Sequence, residues 1–421
     1  MSGGIGQLLE SIVGPGTNEV RVQTTTGPQC VPLVSVASLE ELIECLKACS
    51  AEKTVVIPAG ARTWLDCGNP LRRAGVVISL EKLNRIVDYS PADLTIIAEA
   101  GLVLDRLNET VGASRQWLPL DPPRRSIATI GGVVSCNSSG TLRASFGVPR
   151  DYVIGLRLAH VDGSTSKSGG RVVKNVAGYD MNKLYVGSFG TLAVVTHAIF
   201  KLRPLPDCDR TILLRGNRNA LIELAGELSQ TRELRPSSLF MVSGLDDGSR
   251  DELLAVRFVD DEAAVAEQVR RLLKKVTSGF ESEERSSGAG HDFWRDIAEI
   301  DARRSCALKI SVPPARLAET LLKVLGATSV NAVSADVLAG IVRLTLGDVQ
   351  DGARVVESIR ALRLSAESAG GTLVVEQAPA EVKKLVDAWG EIGNSLHLMR
   401  QVKERFDPES LLNPGKFVGG I

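Results

Sequence analysis

A chain of 421 residues is too long for one ordinary core, so two or more domains are expected. With 44% hydrophobic residues and a mean hydropathy of +0.07, it is a packed globular protein and not a disordered one. Its 49 basic and 50 acidic side chains nearly cancel, which removes the basic footprint of a nucleic-acid-binding protein.

The first residues, Met1 to Val13, lack the basic start and long apolar stretch of a secretory signal. Gly3-Gly4-Ile5-Gly6 follows no strand and is therefore not a dinucleotide fingerprint. Ser38 and Glu41 form a capping-box pattern opening a helix, with Leu39, Leu42, Ile43 and Leu46 on one face. Cys45 and Cys49, four apart on that helix, read as core or surface thiols, not as ligands. Seven cysteines at irregular spacing make neither a disulfide framework nor a zinc or iron–sulfur ligand set. The β-branched run Thr54–Ile57 predicts a strand that ends in the turn Pro58-Ala59-Gly60-Ala61-Arg62-Thr63. Further short strands are expected at Val76–Ser79 and Leu94–Ala98, with a helix near Leu102–Val111. No apolar run anywhere approaches the ~20 residues needed to cross a bilayer, and the expected location is the cytoplasm, or the inner membrane face through partners.

The turn after Ile57 is the first candidate site. Successive backbone N–H groups beside Gly60 can wrap a pyrophosphate, and Thr63 adds a hydroxyl. A plain surface turn would look the same, so this string alone leaves both readings open. The second is Ala128-Thr129-Ile130-Gly131-Gly132 with Ser135-Cys136-Asn137-Ser138-Ser139-Gly140, where small residues let backbone lie flat on a planar ligand or simply form a glycine-rich β corner. The third is Gly169-Gly170-Arg171-Val172-Val173-Lys174-Asn175-Val176-Ala177-Gly178-Tyr179-Asp180, followed by Gly187-Ser188-Phe189-Gly190-Thr191-Leu192. Glycine is entropically costly, so 40 glycines clustered this way argue for close backbone approach to a ligand. No P-loop string occurs.

The prolines of Lys201–Pro206 mark a boundary. Beyond it, strands at Thr211–Leu214, Leu253–Phe258, Cys306–Val312, Ile341–Leu346 and Thr372–Glu376 alternate with helices at Ala220–Leu228, Asp261–Val276, Ala315–Leu325 and Ala353–Glu367. This predicts an α+β cap with an antiparallel sheet. The hydrophilic stretch Ser278–Gly290 reads as a mobile loop. A helix at Leu396–Arg405 leads to the tail Leu411-Leu412-Asn413-Pro414-Gly415-Lys416.

In this order, the three glycine-rich strings and the closing Asn-Pro-Gly-Lys resemble the FAD domain of the vanillyl-alcohol-oxidase (p-cresol-methylhydroxylase, PCMH) type family. Within it they resemble the E-type FAD-binding subunits of bacterial glycolate oxidases (glycolate dehydrogenases). The resemblance covers residues 30–206 and the C-terminal tail. It implies an α+β fold: an N-terminal extension at 1–29, a two-part PCMH-type FAD-binding domain at 30–206, an α+β cap at 207–393, and a tail at 394–421 returning to the FAD domain. It implies that Pro58, Ala59, Gly60, Ala61, Arg62, Thr63 and Trp64 form the pyrophosphate loop. Thr129, Gly131, Gly132, Cys136, Asn137, Ser138, Ser139 and Gly140 would line the diphosphate and flavin. Gly190, Thr191, Leu192, Ala193 and Val194 would lie against the adenosine end. Lys416 would stabilise negative charge on the reduced flavin.

Departures from the family pattern shape the functional expectation. No His lies between Ile57 and Pro70, and Cys67 has no assignable attachment role, so FAD is expected to be non-covalent. The four histidines, His160, His197, His291 and His397, are too far apart for the His-rich metal motif of catalytic relatives, and no metal is expected. Ser188 stands where many catalytic relatives have Glu. The reading is an FAD-binding oxidoreductase subunit of a glycolate-oxidase-like complex, acting on a 2-hydroxy acid such as glycolate. A catalytic flavin subunit and an iron–sulfur subunit are the expected partners. A self-sufficient 2-hydroxy acid or alcohol dehydrogenase, or a structural subunit without redox activity, are the alternatives. Arg143, Lys174 and Tyr179 are candidate contacts to a carboxylate or the flavin ring, with surface roles equally open; no catalytic base is assigned.

Overall fold

Ser38 begins the first long core helix by satisfying an amide that the helix itself cannot. In a computed structural model describing residues 2–171, 179–245, 252–276, 279–300, 305–347 and 351–421, its Oγ accepts the Glu41 amide at 3.1 Å. The Glu41 carboxylate returns to the Ala37 amide at 2.7 Å, one residue ahead of the cap. Helix Leu39–Ala51 then buries Leu42, Cys45, Leu46 and Cys49. Its inward stripe is therefore rotated toward the cysteines, leaving Leu39 and Ile43 half-buried. Burial pushes the Cys45 thiol up to about 11 and the Cys49 thiol up to about 12, so both are inert core sulfurs.

The chain forms two units. The first comprises Met1–Ser139, Val148–Pro204 and Glu391–Ile421. Its strands are β1 (Asn18–Thr24), β2 (Gly27–Ser35), β3 (Val55–Ala59), β4 (Gly75–Ser79), β5 (Ile86–Ser90), β6 (Thr95–Glu99), β7 (Gln116–Trp117), β8 (Val153–Ala159), β9 (Thr165–Gly169), β10 (Val194–Lys201) and β11 (Arg203–Pro204). One sheet has the order β1-β2-β4-β3, with β2 and β3 both parallel to β4. The other, β5-β6-β10-β8-β9, is antiparallel throughout. Val56 and Ile78 from the first sheet share one core with Ile96, Leu156 and Phe200 from the second. The N-terminal glycines lie in helix Ser2–Val13, whose Leu9 is buried in this core. The tail joins as a bridge: Leu412 pairs in parallel with Val56, and Asn413 N donates to Val56 O at 3.1 Å.

The second unit, Gly140–Gly147 and Leu205–Gly390, is a duplicated βαββαβ motif. Its strands are β12 (Cys208–Arg215), β13 (Ser238–Ser243), β14 (Glu252–Asp260), β15 (Glu281–Ser286), β16 (Ala307–Ser311), β17 (Val330–Asp336), β18 (Ile341–Leu346) and β19 (Thr372–Gln377). The order β15-β12-β14-β13-β17-β18-β16-β19 places the two halves as mirror orders joined at β13 and β17, and every pairing is antiparallel. Helices Arg218–Gln230, Glu262–Lys275, Leu317–Gly326 and Gly352–Ser368 bury one sheet face through residues such as Leu221, Val265, Leu321 and Ile359.

Of the expected mobile loop at Ser278–Gly290, Ser278 lies outside the described residues, and from Glu281 the chain is instead edge strand β15 and the start of helix Ser287–Ala298. Its hydrophilicity belongs to an edge, where charged side chains discourage further pairing. Glu283 takes Arg215 at 2.9 Å and Arg285 at 2.7 Å. The adjoining helix docks through Trp294, whose Nε1 donates to Thr211 Oγ1 at 2.7 Å.

Beside Trp294 lies a buried ion pair. Arg257 reaches Asp209 with Nε at 3.0 Å and Nη2 at 2.6 Å, and His291 Nε2 lies 3.0 Å from the same carboxylate. Burial works against the Asp209 charge, but hydrogen bonds from His291 and Arg257 hold its pKa at about 2. The folded value lies below the ordinary 3.8, so this carboxylate stabilises the unit above that pH and loses its contribution as pH falls through about 2. Asp209→Asn is expected to flatten the acid step of tryptophan fluorescence over that window; an unchanged acid titration would contradict it.

Candidate functional site

The end of β3 and the turn after it give the site its floor. Pro58 and Ala59 complete the strand, and Arg62 then adopts the left-handed region at φ 60°. Among the described residues, no backbone N–H from Gly60 to Trp64 has an intramolecular acceptor. Five successive unsatisfied donors in one half-buried turn form a concave anion-binding surface. Arg124 braces the turn by donating from Nη1 to Thr63 O at 3.0 Å.

Ala128–Cys136 packs against this turn. The glycines here do not make a β corner; Ile130–Cys136 is a short helix. Gly131 N donates to Ala100 O at 2.7 Å, and a Cβ on Gly131 would lie 2.9 Å from the Ala100 Cβ. A Cβ on Gly132 would press on the Trp64 ring at 3.1 Å. Both glycines let the helix sit directly against the β6 end and the turn.

The third wall is Phe189–Val195. Phe189 holds φ 55°, a conformation that costs a non-glycine residue energy. It is over-determined there: its N–H donates to Ser135 O at 2.8 Å, its carbonyl accepts Asn413 Nδ2 at 2.8 Å, and its ring stacks on Phe417 at 5.4 Å. The tail supplies the last wall, with Asn413 at φ 46° and Gly415 at φ 90° forming the turn that brings Lys416 inward.

These segments line one concave, partly open cleft within the first unit. Of the expected site residues, the structure brings Pro58, Ala59, Gly60, Ala61, Arg62, Thr63, Trp64, Thr129, Gly131, Gly132, Cys136, Gly190, Ala193, Val194 and Lys416 to its surface. Asn137, Ser138, Ser139, Gly140, Thr191 and Leu192 do not line it. Asn137 reverses the chain at φ 48° and turns its Oδ1 to the Arg150 amide at 3.1 Å, while Gly140 belongs to the second unit. Thr191 Oγ1 bonds Ser188 O at 2.7 Å, and Leu192 enters the core. Ile57, Leu65, Leu80, Ala100, Ser135, Phe189, Val195 and Asn413 line it without having been expected there. Ser135, Phe189 and Asn413 sat in strings already singled out; the others are apolar or small residues with no motif to mark them.

The electrostatics are one-sided. Lys416 is 6% exposed and donates to Leu65 O. Asn413, a lining residue, has its Oδ1 buried without a partner, an unused acceptor. Burial holds the Cys136 thiol well above its ordinary pKa despite the opposing Lys416 charge, so it stays neutral. Among the described residues the lining holds no histidine and no carboxylate. Tyr179 is 96% exposed, Arg171 pairs with Asp88, and Arg143 lies in the second unit. Lys174, with the rest of Val172–Gly178, lies outside the described residues.

The histidines are dispersed: His160 bonds Ser166 at 2.7 Å, His197 bonds Thr196 at 3.1 Å, and His397 bonds Asn394 O at 2.7 Å. No helix among the described residues is long and apolar enough to cross a membrane.

Known proteins match this architecture. Residues 32–169 match the family described as FAD binding domain, and residues 352–417 match the FAD linked oxidases, C-terminal domain. Glycolate oxidase subunit GlcE of Escherichia coli is 34% identical over 261 residues, covering 62% of this chain and 68% of its own. Glycolate oxidase subunit GlcD of Bacillus subtilis is 27% identical over 415 residues, covering 91% and 88%. A D-lactate dehydrogenase of Archaeoglobus fulgidus is 29% identical, covering 92% and 91%. Among solved structures, p-cresol methylhydroxylase superposes with a TM-score of 0.71 at 15% identity, covering 98% of this chain and 96% of its own.

Proposed function

The chain belongs to the FAD-linked oxidase family with a PCMH-type FAD-binding domain, and on that premise we propose that it is the E-type flavin subunit of a 2-hydroxy-acid-oxidising complex. Membership makes it an FAD-dependent oxidoreductase of α+β fold. The cleft fits the cofactor: it pairs unsatisfied backbone donors, suited to a pyrophosphate, with an unused Asn413 acceptor and a buried cation. FAD, when bound, supplies a two-electron acceptor. The N–H groups of Gly60–Trp64 would hold its diphosphate, the Thr129–Gly132 backbone would lie along it, and Lys416 would present positive charge. Binding is non-covalent, because among the described residues the lining offers no histidine and its cysteine is held as a neutral thiol.

The observation that carries the subunit reading is a cofactor cleft whose lining, among the described residues, has no histidine or carboxylate to take the substrate proton. Glycolate or a near relative is the substrate class of the complex, a sister flavin subunit supplies the proton acceptor, and electrons leave through an iron–sulfur partner. The chain itself works in the cytoplasm or at the inner membrane face through those partners. The near full-length match to a D-lactate dehydrogenase favours a second reading, a self-sufficient dehydrogenase.

Anaerobic mixing separates the two. The isolated flavoprotein is expected to keep its visible flavin band with glycolate or D-lactate, and the complex co-purified from the native host to bleach. Rapid bleaching of the isolated chain would overturn the subunit reading.

A further inference from the structure

Lys403, on helix Leu396–Phe406, is 5% exposed and contributes nothing to the cleft lining. Its Nζ donates to Asp407 Oδ2 at 2.6 Å, Thr191 O at 2.7 Å and Leu412 O at 2.8 Å. An ammonium has three protons, so all are used. Asp407, fully buried, also accepts the Leu411 amide at 2.9 Å and the Leu412 amide at 2.7 Å.

These partners belong to the walls of the cofactor cleft. Thr191 follows Gly190 and precedes Ala193, both lining residues. Leu412 precedes Asn413 and Lys416. Leu411 O in turn accepts Val56 N at 2.8 Å, which ties the tail to the strand that ends in the Pro58–Trp64 turn. One buried ammonium thus joins the third wall, the tail and, through the tail, the floor. Its bonds are directional, whereas apolar packing at the same place would leave the Thr191 and Leu412 carbonyls without a donor.

We infer that Lys403 is a positioning residue for FAD: paired with Asp407, it holds the Gly190–Val194 wall and the Asn413–Lys416 tail in the geometry the cofactor binds. The inference rests on FAD binding alone and is independent of which subunit type the chain represents.

The test uses the full chain freed of FAD. Lys403→Met removes the ammonium and leaves Asp407 its two amide donors. At a temperature where circular dichroism shows the variant folded, FAD titration should give a dissociation constant about tenfold or more above wild type, equivalent to about 1.4 kcal/mol. A merely structural role would lower the melting temperature and leave the affinity of the folded protein unchanged. Hydrogen exchange in the wild type decides the matter if the variant does not fold. The Leu411 and Leu412 amides point at Asp407, and FAD saturation should slow their exchange, since a ligand stabilises the form it binds. Wild-type affinity in folded Lys403→Met, or exchange at those amides unaffected by FAD, overturns the inference.

Discussion

Gly60→Ala should leave the chain folded and strip it of FAD. A Cβ at position 60 would lie 2.0 Å from Thr129 Oγ1 and 2.9 Å from its Cβ and Cγ2. Thr129 has little room to yield: it is 2% exposed, and its carbonyl already accepts the Val133 amide at 2.9 Å. Relief requires the turn to move off the Ile130–Cys136 helix. Overpacking of this kind costs about 1–3 kcal/mol of stability, which a domain of this size tolerates. The same movement misaligns two walls of the cleft, and about a hundredfold loss of FAD affinity is expected, two decades at about 1.4 kcal/mol each. Gly112→Ala is the control, because a Cβ there meets nothing within 4 Å. The readout is bound flavin per chain after gel filtration, beside the melting temperature. Full flavin content in a folded Gly60→Ala protein would show that the turn does not hold the cofactor.

Lys416→Met is expected to act on electronics more than on binding. The side chain is buried at the cleft beside Cys136 and the Leu65 carbonyl. Reduction places negative charge on a flavin, and a cation in a poorly solvated wall favours it. Removing that cation should lower the midpoint potential by roughly 30–60 mV, since about 30 mV corresponds to 1.4 kcal/mol in a two-electron couple. A dye-equilibrated reductive titration measures it. An unchanged potential would place Lys416 outside electrostatic reach of the flavin.

Much of this site was readable from residue order, and the reasons are physical. Glycines at 60, 131, 132 and 190 occur where a side chain would collide or where φ is positive, so their spacing announces close approach. Ser38 and the amphipathic helices of the second unit carry local rules that tertiary structure did not override. Other features left no local trace. Phe189 and Arg62 adopt left-handed backbone that no side-chain rule anticipates; at Phe189 the bonds to Ser135 and Asn413 hold it. The stretch Asn137–Gly140 looked like more of the same glycine-rich wall, yet the Asn137 reversal carries it away. Strands β13, β15 and β17 are absent from the expected set. Ser238–Ser243 and Val330–Asp336 mix small polar residues into buried central strands, and β15 is an edge held by Arg–Glu pairs. The duplication of the βαββαβ motif depends on those strands, so it emerges only from the sheet order.

The central claim is that this chain carries FAD, non-covalently, in the cleft bounded by Pro58–Trp64, Thr129–Cys136, Phe189–Val195 and the Asn413–Lys416 tail. Purified protein should be denatured with acid, the precipitate removed, and the supernatant and pellet assayed separately for flavin by mass spectrometry. One FAD per chain, recovered wholly in the supernatant, is the predicted result. No flavin in either fraction, or flavin retained on the pelleted polypeptide, would contradict it.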